Sequence, residues 1–167
     1  MKPILYITYD GLLDPLGQSQ VLPYLLGLRA VGVQFVVLSY EKPAQMAQPA
    51  AADLKRSLAS RGIVWYALKY HKSLGILAKC YDVVRGWLLA IFVIVRRRLS
   101  IVHARSYVAA LIALGAKRVT GCKFIFDMRG LWADERVDGH WWRSDSPLFR
   151  IAKRCEASFL RHADHIV

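Results

Sequence analysis

Apolar positions along this chain follow two periods. Short, nearly continuous runs rich in β-branched and aromatic residues fall near 4–9, 34–39, 63–68, 101–104 and 123–127, and they predict buried strands. Between them, apolar positions three and four apart predict helices near 19–31, 51–61, 74–98, 107–119 and 147–162. Gly32 and Gly62 stand where helix C-terminal caps are expected, each leading straight into a strand run such as Val33–Leu38. Repeated strand–helix–strand order predicts an α/β fold, a doubly wound parallel sheet with helices on both faces. In such sheets ligands bind beyond the carboxyl ends of the strands. The stretch Pro43 to Ala52, rich in Ala, Gln and Pro, reads as a mobile surface connection. The closing Ala163–Val167 reads as the opening of a sixth strand, so we expect these residues to be half of a longer protein.

The first strand runs into Asp10-Gly11-Leu12-Leu13-Asp14-Pro15-Leu16-Gly17-Gln18-Ser19-Gln20, and Val21, Leu22, Leu25 and Leu28 follow at helical spacing. A helix opening at Ser19 would aim free backbone N–H groups at an anion, which makes Gly11, Gly17, Gln18 and Ser19 candidate phosphate-binding residues. The two glycines do not fit G-x-G-x-x-G, and no Gly-Lys-Ser/Thr follows. A plain strand-to-helix turn explains them equally well. Two more polar loops follow strand ends: His103-Ala104-Arg105-Ser106, and Asp127 through Arg136. Arg105 and Arg129 suit a diphosphate held bidentately. Asp127, Asp134 and Glu135 could accept protons or sugar hydroxyl hydrogens, and Trp132 could stack on a sugar face. Singly, each has a plainer role: His103 satisfying a backbone group, Asp127 capping a turn, Asp134 and Glu135 joining Arg136 and Arg143 in a surface network. Three polar loops converging on one crevice favour a shared site. Gly139-His140-Trp141-Trp142 reads as a loop that packs on the sheet or shapes an acceptor cleft.

Composition narrows the class. Hydrophobic residues make up 55% of the 167 positions, which excludes a disordered chain. Three widely spaced cysteines without C-x-x-C suit a reducing compartment, and the opening residues do not form a signal peptide. The net charge of +12 is concentrated: residues 69–122 hold ten Lys/Arg against the single acid Asp82. That implies an anionic partner. Within this stretch Lys69, Lys72, Lys79 and Arg85 precede the uncharged run Gly86–Val95, and Arg96, Arg97 and Arg98 follow it. Ten residues are too few to span a bilayer, which takes ~20. The run reads as a core helix over 88–95 whose basic end and Trp87 and Tyr81 lie on an anionic membrane surface. No zinc-finger, RNP or helix-turn-helix pattern supports nucleic acid as partner. Cys155, His162 and His165 lack a metal-ligand spacing, so no metal is expected, and no Ser-His-Asp arrangement or nucleophile elbow is present.

Three segments together resemble the N-terminal domain of GT-B-fold glycosyltransferases, specifically the family 4-like N-terminal domain. They are Gly11–Gln20 after the first strand, Ile101-Val102-His103-Ala104-Arg105-Ser106, and Phe126-Asp127-Met128-Arg129-Gly130-Leu131-Trp132-Ala133-Asp134-Glu135-Arg136. Ala163-Asp164-His165-Ile166-Val167 is similar to the strand preceding the crossing to that family's second domain. The resemblance implies two Rossmann-like domains facing across a cleft. Residues 1–167 would be the acceptor-binding domain, and a C-terminal nucleotide-sugar domain carrying an E-x7-E glutamate pair would lie outside them. It implies a retaining transferase of hexosyltransferase type, without metal or other cofactor. The loop at Gly11–Ser19 would approach donor phosphates and acceptor, His103 and Arg105 would line the acceptor side, and Asp127 and Arg129 would stand at the reaction centre. Some relatives carry a histidine in that last loop, where this chain has Asp127-Met128-Arg129. Because many such enzymes act on lipid-linked acceptors, the resemblance also implies envelope-glycan synthesis, peripheral on the inner face of the cytoplasmic membrane. Residues 1–167 alone are expected to be inactive. Two readings from other classes stand beside it: a stand-alone phospho-ligand-binding module, and a membrane-docking subunit without catalysis.

Overall fold

The computed structural model describes residues 3–71 and 75–167, the side chain of Ile76 excepted. Six strands form one sheet: β1 (Ile4–Thr8), β2 (Phe35–Glu41), β3 (Val64–Lys69), β4 (Ile101–Arg105), β5 (Lys123–Asp127) and β6 (His165–Ile166). Their order is β3-β2-β1-β4-β5-β6, and every neighbouring pair is parallel. Central β2 is buried at all seven positions, as its unbroken apolar run Phe35–Leu38 requires of a strand covered on both faces. Register places Tyr6 beside His103 and Thr8 beside Arg105, and Arg105 in turn beside Asp127. The order reverses at β1, whose neighbours are β2 and β4, so the crevice of this sheet opens at the carboxyl ends of β1 and β4.

Helices cover both faces. One π-helical turn (Gly17–Val21) leads into α1 (Leu22–Ala30). With α3 (Pro49–Ser60), α1 closes a core of Leu12, Val21, Leu25, Phe35, Val37 and Leu58. Across the sheet lie α4 (Gly75–Arg97), α5 (Ser106–Thr120) and α7 (Pro147–His162), over a larger core that includes Val36, Leu38, Val93, Ile112, Phe124 and Phe159. Small residues let α5 run close to its neighbours: Ala109, Ala110, Ala113 and Ala116 are all fully buried. Gly32, Gly62 and Gly121 end their helices at φ of +94°, +72° and +70°, the left-handed conformation that glycine enters without a Cβ penalty.

Four expectations need correction. The helix expected at Ser19 is already helical at Gly17, and the Ser19 hydroxyl donates back to the Pro15 carbonyl at 2.7 Å instead of capping an N-terminus. Pro43–Ala52, read as a mobile connection, holds α2 (Pro43–Met46) and the first turn of α3, with proline at the start of each. The loop expected from Asp127 to Arg136 becomes α6 (Trp132–Asp138) from Trp132 onward. Residues 88–95, expected to be core, split by face: Ala90, Val93 and Ile94 are buried, whereas Leu88, Phe92 and Val95 are exposed. Lys72 and residue 74, the expected start of that helix, lie outside the described residues.

A crevice of paired guanidinium and carboxylate groups

The glycine loop is tightly packed against the end of β2. Glu41, at the end of β2 and wholly buried, accepts from the backbone N–H of Leu12 at 2.7 Å and of Leu13 at 3.2 Å. Ser39 donates to the same carboxylate at 2.5 Å and is itself held by the Trp65 indole at 2.7 Å. A Cβ on Gly11 would stand 2.7 Å from Glu41 Oε2, and one on Gly17 would stand 2.0 Å from the Gly11 carbonyl oxygen. Both glycines therefore answer to close backbone packing. In the loop before the helix the N–H groups of Leu12 and Leu13 are committed to Glu41, and Gln18 donates its side-chain amide to the Leu12 carbonyl at 2.7 Å.

The residue this loop delivers to the crevice is Gln20. Its Oε1 accepts from Arg129 Nη2 at 2.9 Å and also from Arg105 Nη2. Arg105 is nearly buried and lies between two carboxylates, 3.9 Å from Asp10 and 3.8 Å from Asp127. Arg129 approaches Asp127 from the other side at 3.9 Å. Burial raises the Asp127 carboxyl above the ordinary carboxylate range, against the opposing charges of Arg129 and Arg105; burial raises Asp10 likewise, against Arg105. The three expected residues Arg105, Asp127 and Arg129 thus do meet at the carboxyl ends of β4 and β5. Ser106 and Arg129 hold φ of +67° and +61°, a left-handed conformation that costs non-glycine residues of order 1–3 kcal/mol. Strain at two adjoining strand ends marks this edge as a place where side-chain direction is set at a cost in stability.

His103 lies one layer beneath. Its ring packs against Tyr6 at 4.9 Å and Tyr24 at 5.8 Å between centroids, and its Nε2 and the Tyr6 hydroxyl are buried without a partner among the described residues. Burial, with the charge of Arg105 second, pushes the imidazole down to about 4, so it is neutral at pH 7. A histidine whose folded pKa lies below its unfolded value of ~6.5 leaves the native state unprotonated while the unfolded chain takes up a proton. The contribution of His103 to stability is therefore expected to fall by roughly 3 kcal/mol as pH drops from ~6.5 to ~4, partly offset by the raised Asp10 and Asp127 carboxyls. Denaturant titrations of wild type and His103→Phe across that window check it; the variant should lose most of the slope.

The other expected residues sit elsewhere. Trp132 packs between Tyr107 (5.5 Å) and Trp142 (5.1 Å), under the guanidinium of Arg136 (5.4 Å). Asp134 pairs with Lys153 of α7 at 2.8 Å, and Lys153 also binds Glu156, which accepts from the Tyr107 hydroxyl. Glu135 lies under Gly130, where an added Cβ would meet its carboxylate. Arg143 pairs with Asp145, not with Asp134 or Glu135. Trp87 turns inward: a Cβ on Gly115 of α5 would stand 2.7 Å from its indole nitrogen. Arg96, Arg97 and Arg98 are exposed at the end of α4, as expected.

Sequence reading missed a polar cluster at the ends of β1 and β3. Asp82, wholly buried on α4, accepts from the Tyr9 hydroxyl at 3.1 Å and the His71 backbone N–H at 3.1 Å, and lies 2.6 Å from His71 Nδ1. Beside it a cavity of about 290 Å³ is lined by Tyr9, Tyr40 and Tyr70 with Asp10, Asp14 and Lys42. The isolation of Asp82 within a strongly basic stretch was the available signal. Among the described residues, no group of three or more His, Cys, Asp or Glu side chains is placed to hold a metal ion.

Comparison with known proteins agrees with this architecture. The sequence profile of the glycosyl transferase 4-like domain matches residues 18–167. The solved structure of MurG from Acinetobacter baumannii superimposes with a TM-score of 0.57 at 15% identity, over 99% of this chain and 41% of that one. AtPrR2 in apo form gives 0.49 at 14% identity, over 93% of this chain and 45% of that one, and carries no argument. The chain thus spans less than half the length of either structure. No curated protein is significantly similar in sequence. A sheet reversing at β1, a charged crevice at that reversal and a profile covering nearly the whole sequence agree: the chain belongs to the glycosyl transferase 4-like domain family, and its fold is that of the N-terminal half of a GT-B glycosyltransferase.

Proposed function

We propose that this chain is the acceptor-side domain of a retaining glycosyltransferase, which moves a hexose from a nucleotide-sugar to a lipid-linked glycan acceptor in envelope polysaccharide synthesis. The observation that carries the reading is the Gln20–Arg105–Asp127–Arg129 constellation at the sheet's reversal point. The reading assigns its guanidinium groups to the diphosphate leaving group of a donor held by a facing domain, where two cations already in place would offset the developing charge. Asp127 and Asp10, both near Arg105, offer acceptors to sugar hydroxyls, and the neighbouring tyrosine-lined cavity offers aromatic faces to an acceptor sugar. No metal or other cofactor is assigned a role.

The membrane side of the reading rests on α4. Leu77, Tyr81, Val84, Leu88, Phe92 and Val95 are each more than half exposed, and their spacing puts them on one stripe along the helix. Arg96, Arg97 and Arg98 follow at its end. An apolar stripe with a basic terminus fits the surface of an anionic bilayer. No helix among the described residues is long and apolar enough to cross one. The reading assigns the enzyme to the inner face of the cytoplasmic membrane, with the stripe and its basic end as the support.

The test is transfer itself. Full-length protein is incubated with a panel of nucleotide-sugars and a lipid extract containing pyrophosphate-linked glycans, and products are read by mass spectrometry. We expect a lipid acceptor to gain one hexose in step with nucleotide release, with the donor's anomeric configuration kept. Nucleotide release without a glycosylated product, or no turnover with any donor, would contradict the reading.

A further inference from the structure

A second concavity lies on the other side of the tyrosine cavity. A groove of about 600 Å³ runs between the start of α4, the outer face of α5, α6 and α7. Its walls are apolar: Val108 and Leu111 from α5, Trp132 from α6, and Leu148, Ile151 and Phe159 from α7. Leu111, Leu148 and Ile151 are 41%, 46% and 55% exposed, so the groove presents hydrocarbon to solvent. At one end stand Tyr70, His71 and Lys79, and among the described residues no carboxylate lines it. The nearby acids are committed: Asp82 to Tyr9 and His71, Asp134 and Glu156 to Lys153. With its Nδ1 against Asp82, His71 keeps Nε2 as the nitrogen available to a ligand. Tyr70 lines both this groove and the tyrosine cavity, so the polar end of the groove adjoins the crevice.

We propose that this groove binds the hydrocarbon chain of an amphiphilic phosphate, with the anionic phosphate at Lys79 and His71 and the attached sugar directed past Tyr70 toward Asp10. This deepens the proposed function and rests on it: the groove would select an acceptor by its lipid chain, separately from the docking of α4 on a bilayer. Charge complementarity decides the class of ligand. A neutral lipid would leave Lys79 unused, and an apolar peptide would gain nothing from a cationic end. Volume agrees, since pockets for ligands of this size run from about 300 to 1,000 Å³.

The experiment titrates dodecyl phosphate, below its micelle concentration, into the full-length protein by calorimetry, with butyl phosphate and inorganic phosphate as probes of the head alone. Dodecyl phosphate should bind at least tenfold more tightly than butyl phosphate. Leu111→Glu and Ile151→Glu, at exposed positions that leave the cores intact, should each remove that difference, and Lys79→Glu should weaken dodecyl phosphate about tenfold. Phe92→Glu, on the outward stripe of α4, should abolish pelleting with vesicles rich in phosphatidylglycerol and leave dodecyl phosphate affinity unchanged. Equal affinity for the two alkyl phosphates, or loss of dodecyl phosphate binding in Phe92→Glu alone, would overturn the groove assignment. Transfer to acceptors of either chain length, with no groove binding, would overturn it while leaving the transferase reading intact. Groove binding with no transfer to any acceptor would support the site and contradict the activity.

Discussion

Glu41→Ala should destabilise this domain by about 3–5 kcal/mol, near the upper limit for one substitution. The carboxylate is wholly buried and satisfies three donors: the N–H groups of Leu12 and Leu13 and the Ser39 hydroxyl. Truncation leaves the backbone donors in a space too enclosed to offer full hydration, and each orphaned buried group costs ~1–3 kcal/mol. Glu41→Gln retains one acceptor oxygen but turns an NH₂ group toward a backbone N–H, so a loss of about half that size is expected. Urea denaturation with the slope monitored checks both variants. Glu41→Ala as stable as wild type would show that the glycine loop is held by something else.

The second large effect belongs to Arg105. Arg105→Met keeps most of the side-chain volume and removes the charge between Asp10 and Asp127. The loss should be about 1–3 kcal/mol: Asp127 stays desolvated but keeps Arg129 at 3.9 Å, and Asp10 is 42% exposed. The sign of the pH dependence follows. Burial already raises Asp127 and Asp10, and Arg105 opposes that rise. Without it both carboxyls rise further, Asp127 less because Arg129 still faces it, and protonation relieves the charge left poorly compensated. The penalty is therefore largest at neutral pH and shrinks as pH falls through the raised values. His103 moves the other way, since the charge of Arg105 helps hold its imidazole down. Stability curves of Arg105→Met from pH 7.5 to 4 should converge toward wild type at the acid end; a constant gap would contradict the pairing.

Much of the fold was legible because its central strands are buried and carry short, nearly continuous apolar runs. Phe35–Leu38 and Phe124–Phe126 needed no other signal. Gly32 and Gly62 marked helix ends for the same reason they work there, a left-handed backbone. What was not legible depended on contacts between distant positions. The helix beginning was misplaced because Ser19 resembles a cap, whereas Asp14-Pro15 was the better start signal. That shift of register hid Gln20, which the helix turns onto both arginines. The glycines at 11 and 17 suggested an anion site, yet the groups that require them are Glu41, 30 positions from Gly11, and the loop's own backbone. Residues 86–95 are apolar enough that their pattern carries no phase. Gly86 under Tyr40 and Gly115 under Trp87 set that phase, turning Trp87 inward and Phe92 outward. Arg105, Asp127 and Arg129 were legible because parallel topology alone brings strand ends together. His71 and Asp82 were not, since their pairing depends on how α4 crosses the sheet.

The most direct test of the crevice as the reacting site is the kcat/KM of Arg129→Ala in the full-length protein, measured beside its thermal midpoint. Arg129 is half exposed, and among the described residues its partners are Gln20 and Asp127 of the crevice, so the account predicts a fall in kcat/KM of about 10²-fold or more. The midpoint should stay within about 2 °C of wild type. A transfer rate unchanged by the substitution would contradict the account and move the chemistry away from the carboxyl ends of β4 and β5.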